Sequence, residues 1–332
     1  MTTPIRLGTR RSALAQAQSG HVATALEKVT GRPVQLVPIT SEGDTNRASL
    51  SEIGGQGIFA TRLREALFSG ECDFLVHSLK DLPTAIPAGL VIAATPERED
   101  ARDVVLTRDG IPLHALRSGS TVGTGAPRRI AQVRRRAPHA EVVDIRGNVD
   151  SRLARVASGE LDAVILAAAG LSRLEADSPL RREELGLAEW PTAPGQGSLA
   201  VETTADAPAE LLAALAALDH GPTRLAITVE RAILEGLDAG CQAPMAAHAV
   251  VEGSSVRVRT VVYSAEGDRR IGLDVTEDLN GEYIRRNGSG NGADAADGAG
   301  PMHAARELGL TVARRLLDQG AADLVSREHL SS

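Results

Sequence analysis

Apolar positions along this chain follow two periods, and they alternate. Ile5 to Gly8, Val34 to Ile39, Phe74 to Val76, Leu90 to Ala94, Ser120 to Gly123, Glu141 to Ile145, Leu161 to Ala167 and Ser198 to Glu202 read as short strands. Several are unbroken apolar runs of the kind buried on both faces. Helical stripes lie between them. Leu14, Val22, Leu26 and Val29 share a face of a helix with Ser12 at its N-cap and its end near Gly31, and Phe59, Leu63 and Leu67 mark one stopped by Gly70. Pro127 suits the first position of a third, and Asn148 caps a fourth that closes at Gly159.

This alternation predicts α/β units, and two crossings between them stand out. The charged stretch EREDARDVVL leads out of a first lobe, and WPTAPGQG, Trp190 to Gly197, leads back to it. The predicted organisation is a discontinuous first α/β lobe, residues 1–97 plus 197–218, and a second α/β lobe, 98–196. A helix at Leu211 to Leu218 closes the first lobe, and residues 219–332 form a small C-terminal α+β domain: a helix at Leu225 to Leu237 leads to Cys241, then come strands at Val256 to Tyr263 and Ile271 to Val275 and a helix at Ala304 to Leu317. Gly288 to Gly300 offers no core and reads as a flexible insertion without catalytic meaning. Two periplasmic-binding-protein-like lobes place a ligand in the cleft between them.

Totals narrow the chemistry. At 332 residues the chain exceeds a single core. Its charge of −7, from 36 basic and 43 acidic residues, and its 2% aromatics argue against nucleic acid as a main partner. Cys72 and Cys241 form no metal or disulfide pattern, so no metal is expected. The amino terminus has no apolar leader, and no segment approaches the roughly 18 uninterrupted apolar residues that span a bilayer. A cytosolic, soluble protein is the expectation.

The candidate chemistry clusters where strands end. In VHSLKDLP an apolar run delivers Lys80 and Asp81 just before Pro83, at the carboxyl end where ligands sit in open α/β sheets. A solvated turn is the competing reading. Arg10 and Arg11 precede the Ser12 cap; Thr124, Arg128 and Arg129 lie in GTGAPRR; Arg146, Gly147 and Arg152 lie in RGNVDSRL; Arg173 follows AAAGLS. Arginine forks at four strand-to-helix junctions point to a ligand with several carboxylates. Arg134, Arg135 and Arg136, further along their helix, read as surface. Gln196 lies in the return crossing, and Asp44 and Gln56 lie in the long loop Thr40 to Gly57. Cys72 reads as a small buried hydrophobe and His77 as structural. Cys241, in LDAGCQAP, is either a loop thiol available for covalent chemistry or an inert half-buried cysteine.

GTRRS, GGQGIF, VHSLKDLP, VGTGAPRR, RGNVDSRL, AAAGLSRL, PGQG and GCQAP occur in the order found in the porphobilinogen deaminase (hydroxymethylbilane synthase) family, and the resemblance spans nearly the whole chain. It implies a transferase of tetrapyrrole and heme biosynthesis, with a dipyrromethane cofactor held by a thioether to Cys241 and installed by no separate enzyme. It further implies that porphobilinogen loses ammonia, that the resulting cation is attacked by the terminal pyrrole of the growing chain, and that four additions precede hydrolytic release of hydroxymethylbilane. Asp81 would be catalytic. Lys80, Ser12, Thr124, Arg128, Arg129, Arg146 and Gly147 would bind the cofactor, and Arg10, Arg152, Arg173 and Gln196 the substrate and elongating chain. The chain would act as a monomer, with uroporphyrinogen-III synthase as a transient partner. Departures are GTGAPRR where many relatives have GTSSLRR, Gln56 in place of a common lysine, Glu42 in place of a common arginine, and the insertion near Gly288. The main rival is a non-catalytic bilobal polycarboxylate-binding protein, which shares the fold and needs neither Cys241 nor Asp81. A phosphate-ligand enzyme is disfavoured by the missing Walker and Rossmann fingerprints.

Overall fold

The computed structural model describes residues 3–40, 58–176, 178–238, 243–279 and 300–325. In the first sheet, β1 (Ile5–Arg10), β2 (Val34–Ile39), β3 (Phe74–Ser78), β4 (Leu90–Ala94) and β10 (Leu199–Thr204) lie in the order β2-β1-β3-β10-β4. β1 runs parallel to both β2 and β3, while β10 is antiparallel to β3 and β4. α1 (Ala13–Thr30) and α6 (Ala209–Ala216) cover one face, where Leu7, Leu26, Phe74, Val76, Val201 and Leu215 form the core. α2 (Ile58–Phe68) covers the other with Leu63 and Leu67 against Leu75 and Cys72. The ends of α1 are written in the sequence: Ser12 Oγ accepts the Ala15 N–H at 3.4 Å, and Gly31, at φ 65°, returns its N–H to Glu27 O at 2.8 Å.

The second sheet repeats the plan. β5 (Asp103–Thr107), β6 (Thr121–Gly123), β7 (Glu141–Val143), β8 (Ala163–Ala167) and β9 (Arg181–Leu185) take the order β7-β6-β8-β5-β9. Again three strands are parallel, and the fourth position, β5, is antiparallel to both its neighbours. α3 (Pro127–Arg136), α4 (Val149–Ala157) and α5 (Ala168–Arg173) follow β6, β7 and β8. β7 is shorter than the pattern predicts, because the chain leaves the sheet at exposed Asp144 and buries Ile145 in the core instead. β9 was not expected: RREEL is a charged edge strand with one buried residue, so it carries no apolar alternation.

The C-terminal unit packs α7 (Gly221–Gly236) and α8 (Pro301–Asp318) on a sheet of β11 (Met245–Glu252), β12 (Ser255–Tyr263) and β13 (Arg270–Asp278), with α9 (Ala322–Val325) beyond. β11 was also unanticipated, since MAAHAVVE is rich in alanine, a poor strand former. Between the first two sheets the crossings run side by side: Glu99 N–H donates to Gly197 O at 3.2 Å. A Cβ on Gly197, at φ 89°, would strike the Glu99 carbonyl oxygen, so only glycine allows this approach.

Candidate active site

β3 pairs with β10 as far as Ser78, and the chain then turns through a 3-10 turn, Leu79–Asp81, closed by the Leu82 N–H on Leu79 O at 3.1 Å. Leu79 is fully buried and plugs the turn into the protein, which leaves Lys80 half-buried and Asp81 exposed. Burial lowers the Lys80 ammonium to about 8; the Asp81 charge opposes that shift, and Arg129, Asp103 and Arg128 also act on it. Lys80 and Asp81 of the first lobe therefore face the arginine pair of the second.

That pair is held from behind. Arg128 and Arg129 occupy the first turn of α3, with Pro127 at its start, and both are buried. Their guanidinium groups converge on Asp103, the first residue of β5: Arg129 Nη2 lies 2.6 Å from Oδ1 and Arg128 Nη1 2.9 Å from Oδ2. Trp190 Nε1 donates to Asp103 Oδ2 at 2.9 Å and Gln196 Nε2 to Oδ1 at 2.8 Å. Burial works against the carboxylate, but the two guanidinium charges outweigh it and hold Asp103 far below the usual carboxylate range. Arg128 also donates to Gln132 Oε1 at 2.6 Å, and Arg129 to Ile165 O at 3.1 Å. Desolvation first, and then the Arg129 charge, make Arg128 a weaker base than usual, with Asp103 opposing the shift. Asp103 carried no motif signal, and sequence reasoning missed it.

Arg146 and Arg152 extend the cationic wall. Arg152 Nε donates to Gly147 O at 2.9 Å, and its basicity is lowered first by burial, then by Arg129 and Arg146, with Asp144 and Asp81 opposing. Arg146 Nε stands 3.5 Å from Asp144 Oδ2. Gly147 takes φ 109°, and a Cβ there would collide with Ser151 Oγ. Arg173, buried at the end of α5, donates to Gly197 O at 2.6 Å, and Gln196 is wholly inside the crossing. Thr124 is buried, and its Oγ1 accepts the Ala126 N–H at 3.4 Å. Arg10 and Ser12 stand at the start of α1, the helix that meets α5 across the lobes. Lys80, Asp81, Arg128, Arg129, Arg146 and Arg152 are thus near enough for their charges to act on one another, while Gln196 donates to the shared Asp103 and Arg173 to the adjoining Gly197. Cys241, Glu42, Asp44, Gln56 and the insertion up to residue 299 lie outside the described residues.

Arg134, Arg135 and Arg136 are exposed, as the sequence suggests, and the first two also make contacts. Arg134 Nη1 donates to Ala265 O at 2.8 Å and Arg135 Nη1 to Gly267 O at 2.8 Å, so both dock α3 onto the turn between β12 and β13. Gly267 sits so close that a Cβ there would overlap Ala131 O. Tyr263 adds to the dock through its hydroxyl, 3.3 Å from Gln132 Nε2.

The sequence profile described as "Porphobilinogen deaminase, dipyromethane cofactor binding domain" matches residues 5–211, and that of "Porphobilinogen deaminase, C-terminal domain" matches residues 224–318. The chain belongs to the porphobilinogen deaminase family. It is 46% identical over 326 residues to the Porphobilinogen deaminase of Leifsonia xyli subsp. xyli, covering 96% of this chain and 94% of the relative. Porphobilinogen deaminase 1 of Streptomyces coelicolor is 49% identical over 334 residues, covering 97% of each. That of Thermobifida fusca is 46% identical over 327 residues, covering 98% and 97%. The binding-protein rival is not favoured, because the first two lobes match the family's cofactor-binding domain. The donor set suits such a cofactor: among the described residues the Arg129 Nε–H is buried without an acceptor, and the buried Arg146 Nε–H makes no hydrogen bond, with only the Asp144 carboxylate at 3.5 Å, so a ligand carboxylate would satisfy them. No helix among the described residues is long and apolar enough to cross a membrane.

Proposed function

We propose that Asp81 is the catalytic carboxylate of this porphobilinogen deaminase, working inside a cleft of arginines that grip acetate and propionate groups. The observation that carries this reading is the placement of one exposed acid, Asp81, next to Lys80 and within electrostatic range of Arg152, opposite the Arg128–Arg129 pair. Porphobilinogen reacts by breaking its aminomethyl C–N bond; ammonia departs and a delocalised cation remains. A carboxylate beside the pyrrole N–H stabilises that charge more strongly than it stabilises the neutral reactant. Each condensation ends with loss of a ring proton, and Asp81 is the acceptor at hand.

Lys80, Ser12, Thr124, Arg128, Arg129, Arg146 and Gly147 hold the dipyrromethane, and Arg10, Arg152, Arg173 and Gln196 hold the substrate and the lengthening chain. Attached to Cys241 by a thioether, the dipyrromethane supplies the primer to which pyrroles are added. The lobes are residues 1–97 plus 197–218 and 98–196, the C-terminal domain is 219–332, and lobe movement makes room for the product. The enzyme acts as a cytoplasmic monomer and passes hydroxymethylbilane to uroporphyrinogen-III synthase.

Intact mass of the purified protein beside Cys241→Ser tests the attachment: a dipyrromethane-sized increment confined to Cys241 is expected, and a thiol that stays bare after addition of porphobilinogen or hydroxymethylbilane would refute it. Asp81→Asn should load cofactor and fold normally while losing about 10²–10⁴-fold in turnover, the range of a general acid–base group. Wild-type rates would remove Asp81 from the mechanism.

A further inference from the structure

We propose that Arg231 is a positioning residue for the Lys80–Asp81 turn, an inference that rests on the catalytic role of Asp81. Two adjacent residues of α7 reach out of the C-terminal unit in different directions. Glu230, fully buried, receives Arg98 on both oxygens, at 2.6 and 3.1 Å, the Gly195 N–H at 2.6 Å and the Ala249 N–H at 2.7 Å. Arg98 Nε in turn donates to Gln196 O at 2.8 Å. Glu230 therefore fixes α7 against both crossings and against its own sheet.

Arg231 stands roughly 100° further round the helix. Its guanidinium donates to three consecutive backbone carbonyls: Nη1 to Leu82 O at 3.1 Å, and Nη2 to Pro83 O at 2.6 Å and Thr84 O at 3.2 Å. These carbonyls begin one residue after Asp81. Residues 82–87 belong to no helix or strand, so no sheet ladder fixes the segment that terminates the catalytic turn. On one side the turn is set by β3 and buried Leu79; on the other it is set by this fork. A planar guanidinium spans three acceptors at once, whereas an ammonium is a point donor and cannot hold the same fan of carbonyls. The helix that grips the turn ends at Gly236, shortly before Cys241 in sequence, so one rigid element sets the acid's anchor and leads into the cofactor cysteine.

The test uses Arg231→Met and Arg231→Lys in the full-length holoenzyme, with loading checked by mass and folding by melting. Hydrogen exchange in the peptide Leu79 to Thr84 should accelerate about tenfold or more in Arg231→Met while β5 and β8 stay protected. The kcat should fall about 10- to 100-fold with KM within about threefold, because substrate contacts are untouched, and Arg231→Lys should fall between. In an Asp81→Glu background the same Arg231→Met change should cost less than about threefold, since the two residues act through one carboxylate position. Unchanged exchange in both variants would overturn the tether. Faster exchange with wild-type kcat, or an equal loss in the Asp81→Glu background, would overturn the positioning role. An Asp81→Asn enzyme with full activity would instead sink the role of Asp81, and the exchange data would still show whether Arg231 holds the turn.

Discussion

Removing the counter-ion behind the arginine pair is the sharpest test of how the second lobe is built. In Asp103→Asn the geometry is kept, but the carboxylate that meets Arg128, Arg129, Trp190 and Gln196 becomes an amide. One oxygen remains to accept, and an NH2 group is turned towards donors. Two guanidinium groups, both more than nine-tenths buried, lose the carboxylate they share. Breaking a buried pair by removing one partner costs about 3–5 kcal/mol, because the remaining charge stays desolvated. At about 2–3 °C per kcal/mol for a chain of this size, melting should drop by about 10 °C. Urea titration followed by circular dichroism gives the free-energy difference directly. The deficit should be insensitive to salt, since the pair is shielded from solvent. It should also persist down to the ordinary carboxyl value of 3.8 and shrink only below it: Asp103 is held far beneath that value in the native protein, so the unfolded chain protonates first and the wild type loses its advantage there. A loss under about 1 kcal/mol would show that Asp103 is not the charge that makes this arrangement possible.

Three further outcomes follow from the same reasoning. Glu202, fully buried between Arg64 and His77, is lowered to about 2 from 4.5 by its hydrogen bonds from His77 and Arg64, which overcome desolvation. That difference is about 3 kcal/mol present above pH 4.5 and lost as pH falls towards 2, so Glu202→Gln should flatten the acid limb of the stability curve; an unchanged limb refutes it. Burial lowers Lys80 to about 8, and a ligand carboxylate would raise it, so loading should take up protons and weaken as pH rises through 8; calorimetry in buffers of different ionisation heat reads the protons, and Lys80→Met should abolish the uptake. Gly267→Val should cost about 1–3 kcal/mol, since it forces a branched residue to φ 76° and drives its Cβ into Ala131 O; wild-type stability would mean that the α3 dock gives way.

Much of this architecture is legible in the sequence. Unbroken runs such as Phe74 to Val76 and Val164 to Leu166 declared doubly covered strands, and Ser12, Gly31, Pro127 and Asn148 declared helix ends. Arg128 and Arg129 lie in the first turn of α3, as Pro127 at its start predicts, because that placement is set by local chain order. What stayed hidden depends on partners distant in sequence. Asp103 looks like one more charge in a charged connection until β5 is threaded beside β8 and its carboxylate meets helix α3. Arg134 and Arg135 look solvated until the β12–β13 turn arrives from over 130 positions away. Arg231 lies on a helix whose periodicity reports only its buried face. Gly125 shows the same limit: its lack of a side chain leaves room for Asp144, whose Oδ1 lies 2.5 Å from where a Cβ would stand.

The place of β10 in the first sheet bears on how the chain is made. β3 and β4 do not pair; the strand that joins them is encoded after every strand of the second sheet. A nascent chain therefore completes the second lobe while the first still has a slot one strand wide, bordered by the buried side chains of β3. At about 5–20 residues per second, roughly 5–20 s separate the appearance of β4 from that of β10. In a ribosome-arrested chain long enough for residues up to Trp190 to have left the exit tunnel, the second lobe should resist a pulse of protease while β1 to β4 are cut, and emergence of the chain past Thr204 should close the window.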